Sequence, residues 1–318
     1  MPVINYKKNL VKKPLREAGP KYELKNRMNP SMTYMSSAQV PGVKYYIELG
    51  WVWGIPEPNP HTPEHMHRFD EIILHLGMDC NNPEVLGAEI ENCVGGQALT
   101  FNTTSSIFVP KWLRHGPLTW KKFQKPHIQM TITLGTGSLR EGWVDMNGAE
   151  AKKALAEQKS GVNYEKYLVR KPAYEVVAGT PVKGRQGPSS MTLMNNNLVP
   201  GSNIYVEGGW VLDMPDPNPH IFEHVHDYEE IVMHFGNDYK NPEDLGGEID
   251  FYVDGKPIKI DKTSALFVPK NVRHGPLVWK KFSRPHLEMA IMPGAGTLAE
   301  ADPGGHIEKM ERSKKKNG

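Results

Sequence analysis

The chain has 318 residues, 38% of them hydrophobic, and its 38 Lys and Arg nearly balance 36 Asp and Glu for a formal net charge of +2. The 12 Tyr, 9 Phe and 7 Trp exclude a disordered chain, and the charge balance argues against a dedicated nucleic-acid binder. No apolar run approaches the ~20 residues that cross a bilayer, so no membrane partner is expected.

The opening MPVINYKKNLVKKP is basic with no apolar stretch behind it, so no signal peptide is visible. Its pairs Lys7-Lys8 and Lys12-Lys13, and Lys314-Lys315-Lys316 near the other end, read as solvated termini. Further along, EIILHLG (71–77), EIENCV (89–94) and SSIFVP (105–110) are short apolar runs bounded by Gly, Pro and Asn, the pattern of strands. The segments 81–89 and 241–248 read as loops or a single helical turn. In PHIQMTITLG, His127, Gln129, Thr131 and Thr133 alternate with Ile128, Met130 and Ile132, a period of two that gives a strand two different faces. Asn147-Gly148-Ala149-Glu150 followed by AKKALAEQK predicts a short helix capped by Asn147. Two cysteines, Cys80 and Cys93, cannot make a disulfide framework, and a reducing cytoplasm is the expected compartment.

The chain repeats itself. Residues 50–77 and 209–236 match at 15 of 28 positions, and 108–127 and 267–286 match at 15 of 20, both at an offset of 159. SMTYM at Ser31 echoes SMTLM at Ser190, and YKKNLVKKP at Tyr6 echoes YEKYLVRKP at Tyr164. We therefore expect a domain over 1–147, a connecting helix over 148–160, a second domain over 161–306 and a basic tail over 307–318. Many short strands with frequent turns predict an all-β sandwich or small barrel in each.

The histidines are placed with purpose. His65 and His67 leave one face of a strand, Glu71 follows four residues on, and His115 comes later; His224, His226, Glu230 and His274 repeat the set. Three imidazoles and a carboxylate suit Mn, Fe, Ni, Cu or Zn and suit Ca or Mg poorly. Four protein ligands on an octahedral ion leave two positions for water or substrate. Neighbours of the ligands change between the halves, Met66 to Val225 and Trp112 to Asn271, while the ligand types do not.

The H-x-H-x3-E followed by P-x4-H resembles the two motifs of the cupin superfamily, and the duplication resembles a bicupin. The resemblance covers nearly the whole chain. It implies two tandem β-barrels of jelly-roll type, each holding a divalent transition metal on the four residues named, one or two ions per chain. The chain departs from the family where a glycine is usual: Trp112 and Asn271 stand between the second motif's proline and histidine. Thr119 and Val278 stand where asparagine is often seen. Bicupins of this kind often associate, so a homo-oligomer is expected.

Other residues are candidates for the pocket. His75 and His234 share the face of Glu71 and Glu230 and could bind substrate, as could Gln129. His127 and His286 open a later strand and could act in catalysis. Glu288 replaces Gln129 in the second half and could be a general acid or base, which favours the second copy as the reactive one. His61 and His220 lie in proline-rich loops, where they could form a lid or contact substrate, and read first as turn residues. Arg114 and Arg273, next to a ligand, are expected to face away. The function expected is a metal-dependent enzyme for a small oxygen-rich, enolisable or phenolic substrate chelated to the ion, leaning to dioxygenase-type C–C cleavage. The alternatives are a redox-neutral decarboxylase, C–C hydrolase or isomerase, and a non-catalytic storage or ligand-binding bicupin.

Overall fold

The computed structural model describes residues 5–19, 22–159, 161–175, 182–187 and 189–301. The chain forms two units, Lys13–Lys171 and the pair Met1–Lys12 with Pro172–Gly318. Strands are formed where β-branched and aromatic residues alternate between Gly, Pro and Asn turns, and all pairings are antiparallel.

In the first unit one sheet runs in the order Leu168–Val169, Ser105–Val109, Glu71–Gly77, His127–Leu134, Tyr45–Glu57, Ser31–Met35, Leu15–Ala18, with Lys25–Arg27 also on the Tyr45 strand. A second sheet has the order His115–Phe123, Val85–Val94, Gln97–Thr103. Apolar side chains of both, among them Ile73, Leu86, Ile90, Phe101, Ile107 and Trp120, make the core between them; burying each such side chain contributes about 1.5–3 kcal/mol. The second unit repeats this plan, with Ser264–Val268, Glu230–Gly236, His286–Pro293 and Ile204–Asp216 in one sheet and Lys256–Ile260, Gly247–Val253 and His274–Phe282 in the other. Val232, Ile249, Phe251, Leu266 and Trp279 lie in its core.

The units are not bounded where the repeat suggests. Leu10–Val11 pairs with Leu266 and Ala265, so the first 12 residues belong to the second unit. Leu168–Val169 pairs with Ile107 and Ser106, so residues expected in the second domain complete the first. An edge strand goes where its backbone finds partners, which sequence identity does not report. The helix is present over Ala149–Glu157, but its N-cap is Gly148 and makes no side-chain cap; Asn147 instead donates its backbone N–H to Asp145. The helix packs Ala151 and Leu155 on Met66, Val144 and Trp112 of the first unit, so it is a packing helix. The tail over 307–318 lies outside the described residues. No helix among the described residues is long and apolar enough to cross a membrane.

Candidate metal centres

The ligands are placed by the backbone around them. His65 and His115 pair with each other through two backbone hydrogen bonds of 2.9 Å. This close approach requires Gly116: at φ +81°, a Cβ there would stand 2.6 Å from the Pro63 carbonyl. His67 is tied in through its carbonyl, which accepts from Trp112 N at 2.8 Å. Trp112 has φ +65° and its counterpart Asn271 φ +61°. The turn is left-handed, which explains why glycine suits this position and why the two halves meet the demand differently. Glu71 opens its strand opposite Thr133 and Val109. In the second unit His224 and His274 pair in the same way at 2.8 and 2.9 Å, and Asn271 N bonds the His226 carbonyl at 2.7 Å.

The result is two groups, His65, His67, Glu71, His115 and His224, His226, Glu230, His274, in each of which one ligand atom per residue lies within 4.8 Å of the others. All six imidazoles are held alike. Nδ1 of His65, His67 and His115 meets the carbonyls of Pro63, Gly142 and Leu113 at 2.8, 2.9 and 3.0 Å. Nδ1 of His224, His226 and His274 meets those of Phe222, Tyr228 and Val272 at 2.9, 2.8 and 2.7 Å. A carbonyl only accepts, so each Nδ1 carries the proton and each Nε2 offers its lone pair to the centre. Buried and without a hydrogen-bond partner are His67 Nε2, His115 Nε2, Glu71 Oε2 and His274 Nε2. Orphaned acceptors aimed at one point are what a cation would satisfy, so these residues fit a divalent transition metal.

The charges agree. Burial alone would raise Glu71, but His67, His115 and His65 around it hold it at about 2. Burial, and then His115, push His65 down to about 3. Burial would lower His115, but Glu71 beside it raises it above its ordinary value, so the carboxylate stays ionised and draws positive charge to the centre.

Neither a family model nor a curated protein matches the chain. Among solved structures it is similar to AerE from Microcystis aeruginosa, at 10% identity and TM-score 0.51 over 89% of this chain and 98% of that one. It is similar to vicilin from Solanum melongena, at 8% identity and TM-score 0.53 over 91% and 84%. It is also similar to a variant of Bacillus subtilis oxalate decarboxylase, at 9% identity and TM-score 0.50 over 89% and 80%. The chain has the bicupin fold. At such identity the likeness is one of fold, and none of these proteins' activities comes with it.

In the first unit the group of His65, His67, Glu71 and His115 opens onto a cavity of about 630 Å³. Gln129, Thr131 and Thr133 line it, as the alternation along their strand predicts. His127 has both ring nitrogens engaged: Trp120 Nε1 donates to its Nε2 at 3.0 Å, and its Nδ1 meets the Lys125 carbonyl at 3.2 Å. His286 is spent in the same way, on Trp279 at 3.1 Å and Arg284 at 3.2 Å. Both are core histidines with no nitrogen left for a substrate. His75 is buried against the rings of Phe101 and Trp120 and is not part of the cavity wall. His234 stands 4.0 Å from Glu288, and Glu288 is in turn ion-paired with Arg185 at 2.6 Å. Arg114 and Arg273 face away as expected and pair with Glu64 and Glu223 at 3.6 and 3.5 Å.

The sequence reading missed the arginines that do enter the interior. Arg27 is 7% exposed and lines the first cavity with Glu48 and His61. His61 is no turn residue: it is buried and stacks on Trp120 at 5.3 Å. Arg27 and Arg185 occupy matching places, opposite Val52 and Val211, each after a left-handed residue, Asn26 or Gly184. The signal was present in Lys25-Asn26-Arg27 and Lys183-Gly184-Arg185, but at an offset of 158, one residue out of step with the main repeat.

Proposed function

We propose that this bicupin is a metal-dependent enzyme that binds one divalent transition metal in each unit and acts on a small, oxygen-rich substrate chelated there. The carrying observation is the uniform Nδ1-to-carbonyl locking of six imidazoles, five of them buried, which fixes six Nε2 lone pairs and two carboxylates on two points. Binding and ordering a metal is the one role that such an arrangement serves in both copies. A divalent ion held there supplies Lewis-acid polarisation of an enolisable or phenolic oxygen ligand.

The chain's own residues supply the rest. The cavity wall gives hydroxyl and amide groups from Thr131, Thr133 and Gln129 to orient a polar substrate, and Ile73 and Leu118 to exclude water. Trp143 stacks on His65 at a centroid distance of 5.0 Å and is 45% exposed, so it stands at the solvent side of the ligands. We assign the reaction as dioxygenase-type C–C cleavage, with the redox-neutral lyase, hydrolase or isomerase class as the outcome that replaces it.

Elemental analysis of the native protein, followed by turnover with and without oxygen, tests this. Two transition-metal ions per chain and an oxygen-dependent rate are expected. Full anaerobic turnover would move the reaction to the redox-neutral class. An absence of transition metal from the native protein, with no thermal shift on chelation, would remove the enzymatic reading.

A further inference from the structure

We propose that the first unit is the one that takes substrate, and that its substrate is a small organic acid whose carboxylate is received by Arg27 inside the metal-bearing cavity. This rests on the proposed function for the metal end only; the acid end stands on the residues below.

The Arg27 guanidinium is buried in the wall of the same cavity that the metal ligands open onto. It arrives on the Lys25–Arg27 strand and passes over Gly50, where a Cβ would stand 3.6 Å from Nη2. Its Nε has no hydrogen-bond partner, and among the described residues none forms a hydrogen bond or ion pair with the guanidinium. A buried guanidinium with five donors and no acceptor carries a large desolvation cost that a bound carboxylate would offset, two parallel hydrogen bonds at a time. Glu48 is the carboxylate whose field reaches it, and burial holds that group up at about 7, so near neutrality it is only a partial counter-ion.

The second unit carries the same arginine with its anion already built in. Arg185 Nη1 lies 2.6 Å from Glu288 Oε2 and also meets His220 Nε2. Glu288 stands opposite Gly209 and His234, and Gln129 stands opposite Gly50 and His75 in the corresponding register. The duplication therefore preserved the arginine and changed its partner. Where the second unit has a carboxylate, the first has a neutral amide whose Oε1 is buried and unpartnered. An incoming carboxylate would accept from the Arg27 fork and from the Gln129 amide N–H. Sequence alone favoured the second unit because of Glu288; that carboxylate, together with His220, occupies the second unit's arginine.

The spacing narrows the class. Glu71 is opposite Thr133 and His75 is opposite Gln129 on one strand. These rows are four residues apart, roughly 13 Å at the rise of an antiparallel strand. The carboxylate is thus set several carbons away from the oxygens that chelate the metal.

The test uses the metal-loaded full chain and calorimetry. The probes are 2-oxoglutarate and its one- and two-carbon-longer homologues, each against the 2-oxo monoacid of the same length, which lacks only the distal carboxylate. At least one diacid should bind one equivalent per chain, on the order of tenfold to a hundredfold more tightly than its monoacid. Arg27→Gln should abolish that preference. Gln129→Glu should abolish it too while preserving the fold, because it installs the pair that the second unit already accommodates. A preference that survives both substitutions, two equivalents per chain, or no preference at any length overturns the proposal. Elemental analysis of the same samples reports separately on the metal: ions lost with the preference intact would sink the metal reading alone, and ions retained with the preference absent would sink this one.

Discussion

Glu71 Oε2 lies 2.9 Å from His115 Nε2, and neither atom has a hydrogen-bond partner. With the His115 proton on Nδ1, two lone pairs face each other across that gap, an arrangement that costs free energy unless a cation joins them. Glu230 and His274 stand at the same 2.9 Å.

Glu71→Gln should therefore lower bound metal from two ions per chain to one, and Glu230→Gln should do so at the other centre; the double variant should hold none. Elemental analysis after dialysis reads this. Chelation of the wild type should lower the melting temperature by several degrees, since a ligand at a thousand times its Kd contributes about 4 kcal/mol to folding.

Glu288→Gln should destabilise the chain by about 3–5 kcal/mol, because it leaves the Arg185 guanidinium buried opposite a neutral amide. Metal content should not change. Denaturant titration checks the first statement, and a midpoint within experimental error of the wild type would show that Arg185 finds another acceptor.

His127→Phe tests whether that residue is core or chemistry. The substitution leaves Trp120 Nε1 and the Lys125 carbonyl without their partner, so a loss of about 1–3 kcal/mol is expected. The rate per folded molecule should be retained. A stable variant with no turnover would return His127 to the active site.

Acid should unfold the protein early. Burial holds His127 and His286 near 4 and, with Arg185, His234 near 3. Unfolded, each would titrate near 6.5, so between about 6.5 and 4 the unfolded chain takes up protons that the folded chain does not. Stability is then present above 6.5 and is lost as the pH falls, by on the order of a few kcal/mol per histidine once below both values. Thermal melts from pH 7.5 to 4.5 should show the decline, and His127→Phe should flatten it.

The fold and the eight residues that converge into two groups able to hold a metal were legible because the repeat wrote them twice and a metal tolerates few residue types. Gln129 was legible from the period-two alternation of its strand. The fate of His127 and His286 was not: a histidine at the start of an inward face reads the same whether it meets a substrate or the indole of Trp120. Arg27 and Arg185 were missed because one extra residue between Arg185 and Ser190 throws them out of register, although the sheet restores it. The connecting helix begins one residue later than an Asn147 cap requires, with Gly148 as its N-cap.

The strands Leu10–Val11 and Leu168–Val169 have a consequence for the ancestry of the chain. Each sits just ahead of one copy of the repeat and finishes the barrel built from the other copy. A single copy standing alone would have to place that arm on its own barrel or on a sister molecule's. A cut at the seam of the repeat, near residue 160, would release two halves that each lack their own edge and carry the other's; mixed together, they should find one another again.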